Sequence, residues 1–229
     1  MQMQHLAIIP DGNRRWAAKN KLESVFGHRK GMDTLRFAIQ VCLKNSIKYL
    51  SLYTFSLENF SRSQAEQSYF FKLFFEFKKE VPDLVARGVS VRFLGDRSYF
   101  PQDVLSVIDE VEEKTKSCNT LFLNLLFCYG SQQEIVFAAR SLAKKVQTGE
   151  MKLEDITPDS LKNSLWTSGM PDPDLIIRTG NTIRVSNFLL FQAAYSEYMF
   201  LDCFWPEVTE EILQECVNKF DTIKRNIGA

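Results

Sequence analysis

Short, mainly apolar runs, several of them apolar throughout, alternate along this chain with stretches of helical spacing, and that alternation restricts the fold more than any other feature. Leu6–Ile9, Tyr49–Thr54, Val89–Leu94, Leu121–Phe127 and Leu175–Ile177 read as strands, with Glu197–Leu201 as a sixth. Between them, Thr34–Lys44, Ala65–Ala86, Gln102–Lys116, Gln132–Val146 and Glu210–Ile223 carry helical patterns. Strands that are apolar throughout are covered on both faces, and strands separated by helix-length crossovers pair in parallel. The expectation is an α/β fold: a single domain, residues 1–229, with a central, mainly parallel six-stranded sheet flanked by helices. No repeat, low-complexity segment or linker interrupts it.

Open parallel sheets hold their ligands outside the carboxyl ends of the strands. Three polar groups fall there. After the first strand comes Pro10-Asp11-Gly12-Asn13-Arg14-Arg15-Trp16, a turn leading into a helix. Two arginines in a first helical turn oppose the helix dipole, so they do not serve the helix. An anionic ligand reverses that sign, and a divalent cation makes the Asp11 carboxylate tolerable beside it. The plain alternative is an Asx turn with solvated arginines, and this stretch alone leaves the two readings even. After the second strand come Ser56, Glu58, Asn59 and Arg62, able to hold an anion or orient a reacting group. Ser61 and Ser63 also suit helix capping, with Glu66 three residues beyond Ser63, which leaves Arg62 as the residue capping does not explain. After the fifth, Arg178 and Arg184 flank a Gly180-Asn181 turn followed by Ser186, an arrangement that lets both guanidinium groups face one phosphate.

Two further stretches bear on a ligand. Phe26-Gly27-His28-Arg29-Lys30-Gly31 reads as a loop before a helix, either donating to a diphosphate or merely solvated. Tyr69–Phe77 is apolar nearly all round a helix; core packing accounts for most of it, and lining for a hydrocarbon site for a minority.

Composition excludes several classes. Lys+Arg and Asp+Glu balance at 28 each, which argues against nucleic acid as a partner. Five scattered cysteines and two histidines give neither a disulfide framework nor a zinc site, so a reducing cytoplasm is expected. Met1-Gln2-Met3-Gln4 has no features of a secretory leader, and no apolar run approaches a membrane span. Nucleotide P-loop, dinucleotide, serine-hydrolase and zincin signatures are missing, as is the paired-aspartate run D-D-x-x-D.

The chain resembles the cis-prenyltransferases, in particular their bacterial undecaprenyl diphosphate synthase branch. The resemblance covers nearly the whole chain. It rests on Asp11-Gly12-Asn13-Arg14-Arg15-Trp16, Phe26-Gly27-His28, Phe55-Ser56-x-Glu58-Asn59-x-x-Arg62, Asn124 to Tyr129-Gly130, Arg178-Thr179-Gly180 with Arg184, Ser186-Asn187-Phe188-Leu189-Leu190, and Glu197 with Trp205-Pro206. It implies a magnesium-dependent homodimer with a hydrophobic tunnel. Such an enzyme adds isopentenyl diphosphate units to farnesyl diphosphate in cis geometry and makes a long polyprenyl diphosphate, near undecaprenyl in length, for the cell-wall lipid carrier. The resemblance assigns Asp11 to catalysis with magnesium, Ser56 and Asn59 to the reacting centre, and Glu197 to a further metal carboxylate. It assigns Gly12, Asn13, Arg15 and His28 to the allylic diphosphate, with Arg62 as a nearby contact, and counts Arg14, Trp16 and Phe55 among the substrate-binding residues. Arg178, Arg184 and Ser186 fall to isopentenyl diphosphate. The product implies a cytoplasmic enzyme that works at the periphery of the inner membrane face and delivers its lipid there.

Three departures stand out. Ser24 replaces an arginine that many members carry four residues before the histidine, leaving Arg14, Lys21 or Arg29 to compensate. Asn181 replaces a second glycine and is expected to adopt positive φ. Glu207 replaces an aspartate after Trp205-Pro206. A non-catalytic partner subunit of the same fold is the competing reading. It fits less well, because such relatives lose the aspartate or the arginines that this chain keeps.

Overall fold

The computed structural model describes residues 2–61 and 64–224, and these form six strands and eight α-helices. In chain order they are β1 (His5–Ile9), α1 (Asn13–Lys19), α2 (Ser24–Lys44), β2 (Tyr49–Ser56), α3 (Gln64–Phe77), α4 (Val81–Ala86) and β3 (Val89–Leu94). Then follow α5 (Gln102–Thr115), β4 (Leu121–Tyr129), α6 (Ser131–Gln147), α7 (Pro158–Lys162), β5 (Leu175–Arg178), β6 (Glu197–Phe200) and α8 (Glu210–Asp221). Every strand expected from the apolar runs is present. They form one sheet in the order β3-β4-β2-β1-β5-β6, and every pair is parallel. The chain leaves β1 toward β2 on one side and later returns to pair β5 on the other. The crevice outside the carboxyl ends of β1 and β5 is therefore the switch point where a sheet of this kind takes its ligand.

Both faces are covered, which is why the strands carry so little polarity. One face packs under Leu35 and Ile39 of α2, Phe70, Phe74 and Phe77 of α3, Ile108 and Val111 of α5, and Leu213 and Val217 of α8. The other packs Ala7, Ile9, Tyr53, Leu126 and Ile176 against Met170, Phe188, Leu189 and Ala193.

Two expectations change. The single helix over 65–86 is two: α3 ends at Phe77, a 3-10 turn spans Lys78–Glu80, and α4 begins with Pro82 in its first turn. A proline ring clashes with the carbonyl four residues back and offers no N–H, so an α-helix does not run through it. The 26–31 stretch is not a loop but the first two turns of α2. Two glycines disfavour a helix by about 1 kcal/mol each. Packing overrides that cost here: a Cβ on Gly27 would lie 2.1 Å from the Asn13 carbonyl oxygen, and one on Gly31 2.8 Å from the Trp205 indole. The glycines let α1 and the 205–207 turn press directly on α2.

One buried polar chain crosses the sheet. His5 is fully buried, with Nδ1 2.8 Å from the Pro171 carbonyl and Nε2 2.8 Å from Ser51 Oγ. A carbonyl only accepts, so Nδ1 carries the proton and Nε2 accepts from the hydroxyl; Asn124 Nδ2 approaches the same Oγ at 3.4 Å. Burial lowers the His5 pKa from 6.5 to about 4, against the opposing pull of the Pro171 carbonyl. Between those values the unfolded chain binds the extra proton and the folded one does not, so stability falls as pH falls. The expected loss across that interval is about 3 kcal/mol. Urea unfolding at pH 7.5 and 4.5 checks it: His5→Leu lowers stability at both pH values but shows a markedly smaller difference between them.

Candidate active site

The polar groups that follow β1, β2 and β5 line a single cleft of about 920 Å³ at the switch point. Its walls carry Asp11, Gly12, Asn13, Arg14 and Arg15 from the turn into α1, His28 from α2, and Ser56, Glu58 and Asn59 from the end of β2. Arg178, Arg184 and Ser186 close the third side. Four arginines against two carboxylates leave the cleft cationic on a chain whose formal charges cancel. The α1 dipole adds little, because that helix has only seven residues. The anion-attracting charge comes from guanidinium groups instead.

Asp11 sits where β1 ends. Its Oδ2 accepts from Arg178 at 2.8 Å and its Oδ1 pairs with Arg15 at 3.1 Å. Its backbone oxygen accepts from Thr179 Oγ1 at 2.7 Å and from the Trp205 amide. Burial pushes the Asp11 pKa up, but the Arg178 and Arg15 contacts outweigh it and hold the carboxyl below its ordinary value. The carboxylate therefore stays ionised at neutral pH.

Arg178 is 5% exposed at its side chain; its Nε is buried without a partner, and both terminal nitrogens of its guanidinium bond to the protein. Besides Asp11, it donates to the Arg184 carbonyl at 2.5 Å and to Ser186 Oγ at 2.7 Å. Arg184 Nε reaches the same Oγ at 3.2 Å. Two cations thus converge on one neutral hydroxyl, and of the two Arg178 also has a carboxylate partner, Asp11. The chain makes this turn with left-handed backbone at Asn181 (φ 49°) and Ser186 (φ 50°), and the expectation for Asn181 is met. Gly180 (φ 86°) is required outright: a Cβ there would lie 2.6 Å from Arg15 Nη2, whose Nη1 holds the Gly180 carbonyl at 2.7 Å. Gly12 (φ 104°) likewise has no room, since its Cβ would meet the Phe204 ring.

Ser56 and Asn59 face the cleft together. A register shift in the β2–β4 ladder between Tyr53 and Ser56 turns the strand end outward, and Asn59 Oδ1 caps the Ser56 amide at 3.4 Å. Tyr53 and Thr54 also line the cleft, although both were read as strand core. Tyr53 keeps the regular pairing with Leu126 and Thr54 falls at the register shift beyond it, so both reach the cleft from the carboxyl end of the strand, where periodicity does not separate lining from core. Of the three cations near Ser24, Arg14 lines the cleft, whereas Lys21 and Arg29 do not.

Beside the cleft lies an apolar cavity of about 90 Å³, and Pro10, Asn13, His28, Thr54 and Phe70 line both. Phe74 and Phe77 of α3 form one side of the cavity, and Phe93, Leu125 and Phe127 of the sheet the other. His28 stands at the junction with its ring 4.5 Å from that of Phe70. A volume of 90 Å³ holds about three waters, far less than a farnesyl chain. The apolar cavity is present, but its aromatic lining leaves little free volume.

Three expected site residues stand apart, and a fourth is not described. Arg62 lies outside the described residues. Phe55 is buried in the core, stacked on Phe127 at 4.9 Å. Trp16 is half-buried and lines neither cavity. Glu197 opens β6 beside Leu175 and Leu6, whereas Ile9, Arg178 and Phe200 share the other end. Three residues of strand separate those levels, about 10 Å. Within one chain Glu197 and Asp11 therefore do not form a joint metal site, and the described residues contain no cluster of three His, Cys, Asp or Glu able to hold a metal ion.

Comparison with known proteins agrees with this geometry. The family model described as "Putative undecaprenyl diphosphate synthase" matches residues 9–228. A ditrans,polycis-undecaprenyl-diphosphate synthase of Pseudomonas putida, named as specific for (2E,6E)-farnesyl diphosphate, is 41% identical over 226 residues, 98% of this chain and 90% of that protein. An isoprenyl transferase of Clostridium perfringens is 41% identical over 98% of this chain and 89% of its own length. Among solved structures, lavandulyl diphosphate synthase from Lavandula x intermedia, in complex with dimethylallyl diphosphate, superposes with a TM-score of 0.96 at 29% identity, over 100% of this chain and 99% of that one. A probable undecaprenyl diphosphate synthase from Campylobacter jejuni superposes with a TM-score of 0.82 at 32% identity, over the whole of both chains.

Proposed function

The chain belongs to the undecaprenyl diphosphate synthase family of cis-prenyltransferases, and on that premise we propose that it condenses isopentenyl diphosphate onto farnesyl diphosphate in cis geometry. The product is a polyprenyl diphosphate near undecaprenyl in length, used as a cell-wall lipid carrier. The observation that carries this reading is the convergence of Arg178 and Arg184 on Ser186 opposite Asp11, at the mouth of an aromatic-lined cavity.

The residues divide the work between two diphosphates. Arg178, Arg184 and Ser186 hold isopentenyl diphosphate, exchanging a neutral hydroxyl for a phosphate that meets both guanidinium charges. Gly12, Asn13, Arg14, Arg15 and His28 hold the allylic diphosphate with its hydrocarbon entering the cavity beside Phe70. Fixing both partners removes most of the entropic cost of their encounter. Cationic donors then stabilise the leaving diphosphate as its charge grows. Ser56 and Asn59 face the space between the two.

Asp11 suits magnesium, an ion that keeps several waters and takes one or two carboxylates together with substrate phosphates. An ionised, partly exposed carboxylate at the head of the cleft meets that demand without a second protein ligand. When bound, the ion supplies Lewis-acid help to the departing diphosphate.

A homodimer is part of this reading. Val136 and Phe137 of α6 are each 48% exposed beside Trp166, and β3 is an unpaired sheet edge among the described residues, a surface that a second copy covers well. No described helix is long and apolar enough to cross a membrane, so we assign delivery of the lipid product to peripheral contact with the inner membrane face.

The test is condensation by purified protein with magnesium, farnesyl diphosphate and labelled isopentenyl diphosphate, with and without chelator. A metal-dependent ladder ending at one long product is expected. Folded protein that yields no extractable product overturns the reading. The same assay checks the depth of the cavity. Phe77→Ala removes a ring from the helix side of its lining, costs about 3–4 kcal/mol of stability, and spreads the end of the product ladder over several longer lengths.

A further inference from the structure

Two segments supply two of the sides of the cleft: the Ser56–Asn59 turn after β2 and the loop from Arg178 to Ser186 after β5. The sheet does not join them, because β1 lies between β2 and β5. Asn187 joins them. Its Nδ2 donates to Glu58 Oε1 at 2.9 Å and to Gln133 Oε1 at 3.0 Å. Its Oδ1 accepts from the Gln132 amide at 2.8 Å, and its backbone oxygen from the Ser131 amide at 2.8 Å.

Local sequence explains why this residue reaches so far. Gly130 precedes α6 and has no side chain with which to cap it, so the first two N–H groups of the helix take their acceptors from Asn187 instead. A Cβ on Gly130 would stand 2.7 Å from Asn187 Nδ2 and 2.3 Å from Gln133 Oε1, so glycine is needed for the approach. Asn187 itself has φ 62°, a conformation asparagine tolerates better than most residues. The neighbouring Ser186 is the oxygen on which Arg178 and Arg184 converge. Glu58 lies in the turn between Ser56 and Asn59.

We infer that Asn187 is a positioning residue for the condensation: through Glu58 it fixes the Ser56–Asn59 turn against the arginine loop, and so sets the separation of the two substrates rather than the affinity for either. The inference rests on the two-diphosphate reading above, and wild-type turnover separates the two, since an inactive wild-type protein defeats that reading while the clamp remains a matter of geometry.

The variant of choice is Asn187→Gly, which accepts the positive φ and deletes only the side chain. The expected result is a fall in kcat of about 10²-fold, with KM for each substrate and calorimetric affinity for isopentenyl diphosphate nearly unchanged. Glu58→Ala is expected to fall similarly and Glu58→Gln to retain activity, since a glutamine oxygen still accepts from Asn187. Combining Asn187→Gly with Glu58→Ala is expected to cost little beyond either alone. Wild-type kcat in Asn187→Gly overturns the inference, and so does a loss carried by KM. If Asn187→Gly does not fold, the two Glu58 variants decide: equal losses in Glu58→Ala and Glu58→Gln mean that the charge, not the clamp, matters.

Discussion

Asp11→Ala is expected to lower kcat/KM for condensation by about 10³-fold or more while the fold survives. The carboxylate is partly exposed and closes no hydrophobic layer, so its removal opens no cavity. The turn around it is kept by backbone contacts, the Asp11 carbonyl accepting from Thr179 and Trp205 whatever the side chain. What is lost is the one negative charge between Arg15 and Arg178, and with it the oxygen ligand offered to magnesium. Asp11→Asn separates shape from charge: it still accepts from Arg178, and activity as low as that of alanine shows that the charge is needed. The variants retain isopentenyl diphosphate binding, because the arginines are then less neutralised. Calorimetry with isopentenyl diphosphate alone, beside steady-state kinetics, measures both. Because Arg178 and Arg15 hold the wild-type carboxyl below its ordinary value, activity lost between pH 7 and 5 does not come from Asp11 taking a proton.

Arg178→Ala is expected to damage both the protein and the reaction. The guanidinium is buried and ties three segments, through Asp11, the Arg184 carbonyl and Ser186. Removing one partner of a buried ion pair costs about 3–5 kcal/mol, and Asp11, being partly exposed, places this site toward the lower figure. Kinetically the loss falls on isopentenyl diphosphate, with kcat/KM down by about 10²-fold or more. Arg178→Lys is not a rescue, since one ammonium cannot span a carboxylate, a carbonyl and a hydroxyl in one plane. Thermal unfolding together with separate KM values for the two substrates tests this. A KM increase confined to farnesyl diphosphate would reassign the arginine to the other diphosphate.

The strands were legible because each is a short, mainly apolar run, and the strand-end rule alone gathers Asp11, Ser56 and Arg178. Gly27 and Gly31 misled, because a helix that needs glycine for close packing looks, residue by residue, like a loop. Pro82 carried the break between α3 and α4 in plain sight, outvoted by the apolar pattern around it. Tyr53 and Asn187 escaped for a different reason. One sits at the carboxyl end of a strand whose spacing does not separate cleft lining from core, and the other acts on partners 54 to 129 residues away, a relation without local signature. The Glu197 assignment came from the family resemblance, and strand register alone shows that one chain does not bring it to Asp11.

On the proposed reading, the small apolar cavity acts as a ruler with one hard edge. Phe93, Leu125 and Phe127 stand on strands paired to their neighbours, whereas Phe70, Phe74 and Phe77 hang from a helix that stops at a 3-10 turn. A growing chain trades ring-to-ring contact for ring-to-isoprene contact, apolar for apolar, so early units displace the helix side at little net cost. Growth ends where only the sheet is left to push. Tenfold discrimination between consecutive lengths needs about 1.4 kcal/mol. A rigid floor supplies that step and a yielding wall does not, so substitutions on the strands should shift the terminal length cleanly, and those on the helix should blur it.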